Sequence, residues 1–514
     1  MKLVLQNDCI MKEVPVMSVI DIVTSKSLTY EQKVVSLAHA AEDTLDVLNI
    51  PEKTKHYMEI GAICNLNEGN GPYRPRYIMP DYEKAVKQGC VFLQLDPPKD
   101  LDELLNFLMI LYRHVPSITS YPVFLGELDK LIEPFLEGVS DEEAEKKLRL
   151  FLIYLDRTIT DSFCHANLGP EESRTGRILF KLEKELQNAV PNLTLKYDKD
   201  ITPDDFAEQA LYTSLFCANP AICNDKAHKN TYDRYGISSC YNILPIGGGS
   251  YTLSRIVLPK LAWQTKSREE FLHVLLPECL KCMADYMNER IKFIVERSNF
   301  FESSFLVREG LISRDHFLAM FGVVGLAEAA NWFMEDKTKK YGHDAEADQL
   351  ADEIMTVISD FTKEYPALYS EIAGGHFLLH AQVGIDSDIG ITSGVRIPVG
   401  DEPESMYDHL KHSGRFQRFF PTGVADIFAF DVTGRDNPGA VLDIVKGAFD
   451  VEDKYISFYA SDSDLVRITG YLVKRSEIEK YDRGEAVLQN TTQLGASTYK
   501  SAHLADRKVR SGLS

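Results

Sequence analysis

Two short stretches decide how this sequence is interpreted: Tyr235-Gly-Ile-Ser-Ser-Cys-Tyr-Asn242 and Arg467-Ile-Thr-Gly-Tyr471. In the second stretch a glycine interrupts residues that are typical of β-strands, which indicates a bulge or a turn. Gly470 lies 44 residues from the end of the chain (514 − 470) and 230 residues after Cys240 (470 − 240). If these two residues act together, the fold has to bring them together.

The composition around these stretches is that of a large globular protein. The chain has 514 residues, of which 44% are hydrophobic and 10% aromatic, so a large core is possible. Its 56 basic and 77 acidic residues give a formal net charge of −21. Because nucleic-acid binding needs a concentrated positive field, we expect no nucleic-acid partner.

The sequence predicts a cytoplasmic protein. Gln6, Asn7 and Asp8 interrupt any apolar run at the start, so no signal peptide is expected. The most apolar stretch, 107–112, is far shorter than the roughly 20 residues that a membrane span needs, and we expect no membrane partner. Nine cysteines, an odd number spread along the chain, favour reduced thiols over a disulfide framework.

No metal site is expected. The CxxC pair Cys279 and Cys282 lies in a pattern that predicts a helix, and no second pair follows it. Two buried helical thiols are therefore a better interpretation than a four-cysteine zinc site. The histidines at positions 165, 228, 376 and 380 have no metal-ligand spacing with one another. The common nucleotide-binding and metalloprotease motifs do not occur either.

The hydrophobic pattern changes along the chain from helical to mixed. The run from Ser140 to Glu143 (SDEE) has the spacing of a capping box and precedes an apolar stripe, which predicts a helix. From about Pro191 strand-like stretches alternate with helical ones. Strands interleaved with helices over one long chain predict an α/β fold and suggest a barrel.

The stretch from Arg467 to Tyr471 resembles the motif around the radical glycine of glycyl radical enzymes. That motif reads Arg-Val-[Ser/Thr]-Gly-Tyr and lies near the C-terminus of those proteins; here Ile468 replaces the valine. The resemblance makes Gly470 the radical residue, with Arg467 and Tyr471 as the flanks of the motif.

A second resemblance to the same superfamily lies upstream. The segment 216–225, which ends in Asn224 and Asp225, precedes the Cys240 loop by an interval that is similar to that in glycyl radical enzymes. Cys240 would then be the thiyl residue. The closest overall match is the YjjI-type glycine radical enzyme family, which implies a radical enzyme whose substrate is not assigned.

The resemblance implies a ten-stranded β/α barrel of two five-stranded half-barrels, surrounded by helices, with a C-terminal glycyl radical loop. We expect residues 1–190 to be mainly helical, 191–435 to form the barrel with the cysteine loop, and 436–514 to form the glycyl radical region, within one integrated domain. A homodimer is implied as well. A separate radical-SAM activating enzyme would remove hydrogen from Gly470, and its iron–sulfur cluster and S-adenosylmethionine belong to that partner. No cofactor is expected on this chain.

The residue types suit this chemistry. A carbon radical on glycine is stabilised by the flanking amide groups when the centre is planar, and a side chain would crowd it. A cysteine sulfur can relay the radical, because a thiyl abstracts hydrogen from substrate C–H bonds. This role needs a neutral thiol in a dry cavity, in contrast to the low-pKa thiolate of a nucleophilic cysteine.

The sequence differs from several known branches of the glycyl radical enzyme superfamily, so the resemblance does not determine the reaction. Pyruvate formate-lyase has two adjacent cysteines in this loop, whereas Ser239 precedes a single Cys240 here. The diol dehydratases have a glutamate base where this chain has Asn242, and an amide cannot take a proton at neutral pH. Anaerobic ribonucleotide reductases carry a C-terminal four-cysteine zinc site, but no cysteine follows Cys282. The segment 394–398 (GVRIP) nevertheless resembles the reductase branch.

The candidates for contact with a small-molecule substrate come from segments near the two loops. They are Tyr241, Asn242, Asn224, Asp225, His165 and Asn167. His165 could act as an acid or a base, since its ordinary pKa lies near neutrality, or it could be a hydrogen-bonded loop histidine. Asn224 and Asp225 could instead cap the turn that follows them.

Two other functional hypotheses remain at this point. One is a non-catalytic barrel that binds a small ligand, or a radical-bearing accessory subunit of the same fold. The other is a thiol hydrolase that uses Cys240 and His165, which would need an accessible, electropositive cysteine with the histidine in reach. The distance between Cys240 and Gly470, and the burial of both, discriminate among the three.

Overall fold

The computed structural model describes residues 19–42, 44–66, 73–229, 231–381 and 388–512. Within these ranges the helices pack around two β-sheets, and a continuous set of buried apolar side chains joins them. Cys9 and the polar residues at the start of the chain lie outside the described ranges.

Sixteen strands occur in the described residues. In chain order they are β1 Ile63–Cys64, β2 Tyr77–Met79, β3 Phe124–Glu127, β4 His165–Leu168, β5 Asn192–Tyr197, β6 Ala221–Asn224, β7 Tyr235–Ser238, β8 Asn242–Pro245, β9 Gly248–Val257, β10 Phe317–Val324, β11 Leu378–Ala381, β12 Asp426–Phe430, β13 Tyr455–Ala460, β14 Leu465–Arg467, β15 Leu472–Lys474 and β16 Val509–Arg510.

The same ranges contain 22 α-helices. They are α1 Val19–Thr24, α2 Tyr30–Glu42, α3 Glu52–Glu59, α4 Tyr82–Gln88, α5 Leu101–Arg113, α6 Leu128–Ile132, α7 Asp141–Thr158, α8 Arg174–Leu186, α9 Asp204–Cys217, α10 Asp225–His228, α11 Leu258–Ala262, α12 Arg268–Glu270, α13 Leu276–Glu296, α14 Phe300–Ser303, α15 Phe305–Arg308, α16 Leu326–Trp332, α17 Ala345–Glu364, α18 Met406–Gln417, α19 Thr433–Asp436, α20 Pro438–Asp450, α21 Arg475–Asp482 and α22 Thr491–Ser501. A π-helical turn, Phe271–Leu275, joins α12 to α13.

Helix α7 begins where the sequence predicts. The Ser140 side chain accepts a hydrogen bond from the backbone N–H of Glu143, which satisfies one of the free donors of the first turn. The helix buries Leu148, Phe151 and Leu155 against the core. Helix α13 carries both cysteines of the CxxC pair, so the helical prediction is confirmed. The predicted burial is confirmed for Cys279 and is wrong for Cys282, which is half-buried.

Two sheets of unequal size form the centre. The larger has the order β16-β12-β13-β6-β5-β4-β3, and its neighbours are parallel except for the antiparallel pair β13 and β6. The smaller has the order β1-β9-β10-β11, with β2 also paired to β9. Strands β9, β10 and β11 are parallel, whereas β1 and β2 run antiparallel to β9. The predicted α/β class is confirmed.

The two sheets approach each other between β11 and the segment before β12. The Ala381 N–H donates to the Gly423 carbonyl (2.9 Å), and the Thr422 N–H donates to the Leu379 carbonyl (3.3 Å). The larger sheet has seven strands and the smaller has five. Within the residues that the structure describes, no strand pairing joins the two sheets into a closed barrel.

The three-part division of the chain stays a prediction. Strand β4 lies before the predicted boundary at 190/191 and β5 after it, and their parallel ladder pairs His165 with Asn192. Strand β13, from the third predicted part, pairs with β6 of the second. Residues of all three parts therefore share one sheet.

The inner face of the larger sheet is polar. Residues that lie opposite each other in a ladder share a face, and β4, β5, β6 and β13 place one connected set on one face. Its polar members are His165, Asn167, Asn192, Thr194, Lys196 and Tyr455, and Ala221 and Cys223 lie among them. All are buried. Because buried polar groups need partners, this face is suited to holding another polar chain segment rather than an apolar core.

No helix in the described ranges is long and apolar enough to cross a membrane. Within the same residues, no group of three or more histidine, cysteine or acidic side chains has an arrangement that could hold a metal ion.

A buried ion pair links β9 to the segment after β11. Arg255 makes two hydrogen bonds to the Asp388 carboxylate, at 2.5 and 2.8 Å, and the two side chains are 1% and 5% exposed. Removing one member of such a pair leaves an uncompensated charge in the interior. We expect Arg255→Met to lower the free energy of unfolding by about 3–5 kcal/mol, measured by urea denaturation.

The control is the exposed pair of Lys500 and Asp482, which is 2.5 Å long. Exposed pairs contribute little, so Lys500→Met should change the free energy of unfolding by less than about 1 kcal/mol. An Arg255→Met variant as stable as this control would contradict the prediction.

Candidate active site

Strands β7 and β8 form a hairpin that lies against the polar face of the larger sheet. The Asn167 side chain binds the backbone of Ile237 twice: its Nδ2 donates to the carbonyl (2.9 Å) and its Oδ1 accepts from the N–H (2.7 Å). Lys196 donates to the Tyr235 carbonyl (2.7 Å). These contacts fix the hairpin whose turn, at residues 239–241, carries Cys240.

Strands β14 and β15 form a second buried hairpin, paired from Leu465 with Lys474 to Arg467 with Leu472. Four residues connect the strands, and the Ile468 N–H donates to the Tyr471 carbonyl (3.1 Å). Gly470 lies in this turn and is buried. The predicted turn at this glycine is confirmed.

The two turns touch at Gly470 and Cys240. A Cβ atom added to Gly470 would lie 2.5 Å from the C, Cα and Cβ atoms of Cys240. Real Cβ atoms do not approach other atoms so closely, and the obstructing atoms are mainly backbone. Only glycine fits here. The Cys240 sulfur lies 4.0 Å from the hydroxyl oxygen of Thr469, and Cys240 is 4% exposed.

The Arg467 side chain fixes the glycine turn by hydrogen bonds. Its guanidinium donates to the Gly470 carbonyl (3.1 Å), to the Ala218 carbonyl (2.8 Å) and to the side-chain oxygens of Asn192 (3.3 Å) and Asn219 (3.4 Å). Arg467 is fully buried. The guanidinium therefore ties the turn to β5 and to the end of α9.

Cys240 is a neutral thiol at physiological pH. Burial raises the pKa of its thiol to about 11, and hydrogen bonding from Thr469 and the Gly470 backbone opposes that rise only in part. A protonated thiol is the form that can give up a hydrogen atom, whereas nucleophilic cysteines have a lowered pKa. The site suits homolytic chemistry better than nucleophilic chemistry.

His165, the first residue of β4, lies close to Arg467 and the Gly470 backbone. Burial and the positive charge of Arg467 lower the pKa of His165, so the ring is neutral. The Gly470 backbone interacts with the ring and opposes this lowering of the pKa in part, and the side chain is fully buried. Tyr471 packs against Phe163, with ring centroids 4.8 Å apart.

Tyr241 and Asn242 follow Cys240 and are both buried. The Tyr241 hydroxyl donates to the Ala381 carbonyl at the end of β11 (2.9 Å). The Asn242 side-chain nitrogen is buried and has no hydrogen-bond partner in the described part of the chain. A buried donor without a partner marks a place where a ligand or a water can bind.

Asn224 and Asp225 are placed elsewhere. Asn224 caps α10, with its Oδ1 accepting from the Ala227 N–H (3.4 Å). Asp225 accepts from the Tyr235 hydroxyl (2.5 Å) and pairs with Lys229 (2.9 Å). The capping interpretation of Asn224 is confirmed, and Asp225 supports the first strand of the cysteine hairpin. Asn167 likewise holds the hairpin backbone rather than offering a free amide.

Two residues near Cys240 were not among the candidates. His380 stacks on Tyr241 with ring centroids 5.6 Å apart, and its Nδ1–H donates to the Thr422 carbonyl (3.1 Å). Burial lowers the pKa of His380 to about 3. Arg396 places its Cζ 5.8 Å from the Tyr241 ring, and its buried Nη2 lacks a partner within the described residues. Arg396 lies in the segment 394–398, whose resemblance to the reductase branch was the available signal.

The family model for glycyl radical enzymes of the YjjI-like type matches residues 28–510. An uncharacterised protein from Haemophilus influenzae is 44% identical over 502 residues, covering 96% of this chain and 97% of its own. The uncharacterised protein YjjI from Escherichia coli is 39% identical over 493 residues, covering 95% of each chain.

Among solved structures, an anaerobic ribonucleotide reductase has a similar fold. The TM-score is 0.68, the sequence identity is 14%, and the match covers 89% of each chain. At this identity the similarity concerns the fold alone.

Because no Cβ atom fits at Gly470, we expect a substitution there to destabilise the protein even before a radical is formed. Gly470→Ala should lower the free energy of unfolding by about 1–3 kcal/mol, because the new methyl group meets backbone atoms that cannot move aside. The control is Gly447→Ala on the exposed side of α20, where no atom lies within 4 Å of an added Cβ. That change should raise the free energy of unfolding by about 0.5–1 kcal/mol. Equal effects of the two changes, measured by denaturation, would contradict the contact.

The raised pKa of Cys240 predicts slow alkylation. With a pKa of about 11, roughly one Cys240 side chain in a thousand is a thiolate at pH 8. We expect iodoacetamide to label the half-buried Cys282 well before Cys240 at pH 8, and the labelling rate of Cys240 to rise about tenfold per pH unit. Peptide mapping by mass spectrometry measures both sites, and Cys240→Ser identifies the adduct. Labelling of Cys240 at pH 7 as fast as that of Cys282 would contradict a neutral thiol.

Proposed function

Because the chain belongs to the YjjI-like glycyl radical enzyme family, we propose that a radical on Gly470 generates a thiyl radical on Cys240, which abstracts hydrogen from a small-molecule substrate. The observation that supports this most strongly is the contact of Gly470 with the Cys240 backbone, which leaves no room for a Cβ atom.

The proposed steps conserve one unpaired electron. The Gly470 radical takes the hydrogen atom of the Cys240 S–H bond, which gives an intact glycine and a thiyl. The thiyl takes a hydrogen atom from a substrate C–H bond, which gives a thiol and a substrate radical. After the substrate radical has rearranged or cleaved, the product radical takes the hydrogen atom back from Cys240. The resulting thiyl then regenerates the Gly470 radical.

The residues around Gly470 would hold the radical-bearing peptide in place and shield it from solvent. Arg467 donates to the Gly470 carbonyl, and this hydrogen bond holds the peptide in one orientation. His165 and Tyr471 enclose the turn, and all three side chains are buried. A closed site limits the access of water and oxygen, which would quench a carbon radical.

The hydrogen atom of Gly470 has to be removed once, by a separate radical-SAM activating enzyme. The cluster and S-adenosylmethionine belong to that partner, and we propose that this chain itself holds no cofactor. We further propose a homodimer in the reducing cytoplasm. The eight cysteines of the described residues are all free thiols, as that compartment favours.

The substrate would bind on the side of Cys240 away from Gly470. There Tyr241, Asn242, His380 and Arg396 offer a hydroxyl, an amide, a neutral imidazole and a guanidinium. Asn242 cannot act as the base that a glutamate provides in the diol dehydratases. The neutral His380 ring stacks on Tyr241; its Nδ1–H is donated to the Thr422 carbonyl, which leaves the lone pair on Nε2 as an acceptor.

The other two hypotheses are weaker. A non-catalytic barrel or accessory subunit is not favoured, because it gives no reason for the buried contact of Gly470 with Cys240. A thiol hydrolase needs a thiolate, whereas burial raises the pKa of Cys240 to about 11. Burial also lowers the pKa of His165, so a thiolate–imidazolium pair is not stabilised.

The test is an anaerobic EPR spectrum after incubation with a matching radical-SAM activating enzyme, S-adenosylmethionine and a reductant. We expect a doublet, because the radical carbon of Gly470 keeps one hydrogen atom. Gly470→Ala should give no signal. Cys240→Ala should keep the signal but abolish turnover of any substrate that the native protein converts. Exposure to air should quench the doublet and cleave the chain at Gly470.

The activating enzyme needs its own positive control on a known partner. The proposal would be overturned if this chain forms no radical under conditions in which the control partner is activated. A radical of undiminished yield in Gly470→Ala would overturn the assignment of the residue.

A further inference from the structure

A pocket of about 480 Å³ opens on the surface at the ends of β5 and β6 and the start of β13. Asn224, one of the predicted site residues, lies in its wall. None of the residues that contact Gly470 lines this pocket. Its volume falls in the range of small-molecule sites in proteins, roughly 300–1,000 Å³.

The pocket concentrates positive charge in an acidic protein. Five basic side chains line it: Lys199, Lys226, Arg418, Lys446 and Lys454. Two acidic residues, Asp450 and Glu452, line it as well, so the formal charge of the lining is +3 (5 − 2). Two of the basic residues also pair with carboxylates outside the lining, Lys226 with Asp200 and Arg418 with Asp352. The whole chain carries −21. A concave site with this excess attracts anions, because the surrounding protein focuses the field.

Two donors at the pocket, one buried and one partly buried, lack strong acceptors. The Tyr197 side chain is 2% exposed, and its hydroxyl has no hydrogen-bond partner among the described residues. Lys454 is only partly buried; it donates to the Arg418 and Phe420 carbonyls, at 3.4 and 3.2 Å, and forms no ion pair among the described residues. A buried hydroxyl without a partner is costly, and a partly buried ammonium without a carboxylate partner is free to bind an anion.

The rim lysines form ion pairs that can open. Lys199 pairs with Asp450 (3.1 Å), Lys446 with Asp204 (2.8 Å), and the acidic partners are about two-thirds exposed. Exposed pairs contribute little to stability, so these lysines can turn toward a ligand at low cost. Phe449 and Tyr197, with ring centroids 6.1 Å apart, provide an apolar wall.

We propose that this pocket binds a small molecule that carries a phosphate group. The donors are ammonium groups and a hydroxyl, which suit the several acceptor oxygens and the high charge of phosphate. The apolar wall provides a surface for the rest of the ligand. The site is separate from the Cys240–Gly470 pair, and the proposal does not depend on the radical chemistry.

Isothermal titration calorimetry of the full, unactivated chain with inorganic pyrophosphate tests the proposal. We expect binding that weakens at least tenfold in Lys454→Met and several-fold in Tyr197→Phe. Lys500→Met, which removes an exposed lysine paired with Asp482, is the charge-matched control and should bind like the native protein. Thermal unfolding of each variant reports whether it is folded. If Lys454→Met does not fold, Tyr197→Phe still tests the site.

Malonate, a dicarboxylate, separates phosphate from carboxylate recognition. Tight binding of malonate with none of pyrophosphate would overturn the phosphate assignment. No pyrophosphate binding at millimolar concentration would overturn the site, as would binding that Tyr197→Phe and Lys454→Met both leave unchanged.

Discussion

The structure depends on one close contact, the approach of the Gly470 turn to the backbone of Cys240. The space between them does not admit a Cβ atom, so two hairpins from distant parts of the chain must be held within a few tenths of an ångström. Radical transfer between a glycine and a cysteine needs the same proximity. The packing constraint and the chemical constraint therefore coincide at one residue.

The polar face of the larger sheet is what makes this contact possible. Asn167 and Lys196 hold the cysteine hairpin by its backbone, and Arg467 holds the glycine turn by its carbonyl. Asn167 and Lys196 come from parallel strands that an ordinary α/β core would line with valine and isoleucine. Burial then keeps Cys240 protonated and His165 neutral, so the site lacks the charged groups that nucleophilic catalysis needs.

Local sequence patterns predicted the parts of this structure that local chemistry determines. The cap at Ser140, the helix that carries Cys279, and the turn at Gly470 each follow from residues within a few positions. The pairing of Cys240 with Gly470 rested on the resemblance to a family, because no local pattern spans 230 residues (470 − 240). Asn224 ends β6 and caps α10, and Asp225 binds the Tyr235 hydroxyl, so neither role was evident from the interval that separates them from Cys240. Arg396 and His380 reach Tyr241 only through the packing of separate segments, and single-sequence patterns carry no such information.

The most direct test of the central contact is the EPR spectrum of the activated protein in D₂O. If Gly470 and Cys240 exchange a hydrogen atom, deuterium from the exchangeable S–D bond enters the glycine, and the doublet collapses toward a single line. The account predicts this collapse in the native protein and a lasting doublet in Cys240→Ser. A doublet that persists in D₂O with Cys240 in place would contradict direct transfer between the two residues.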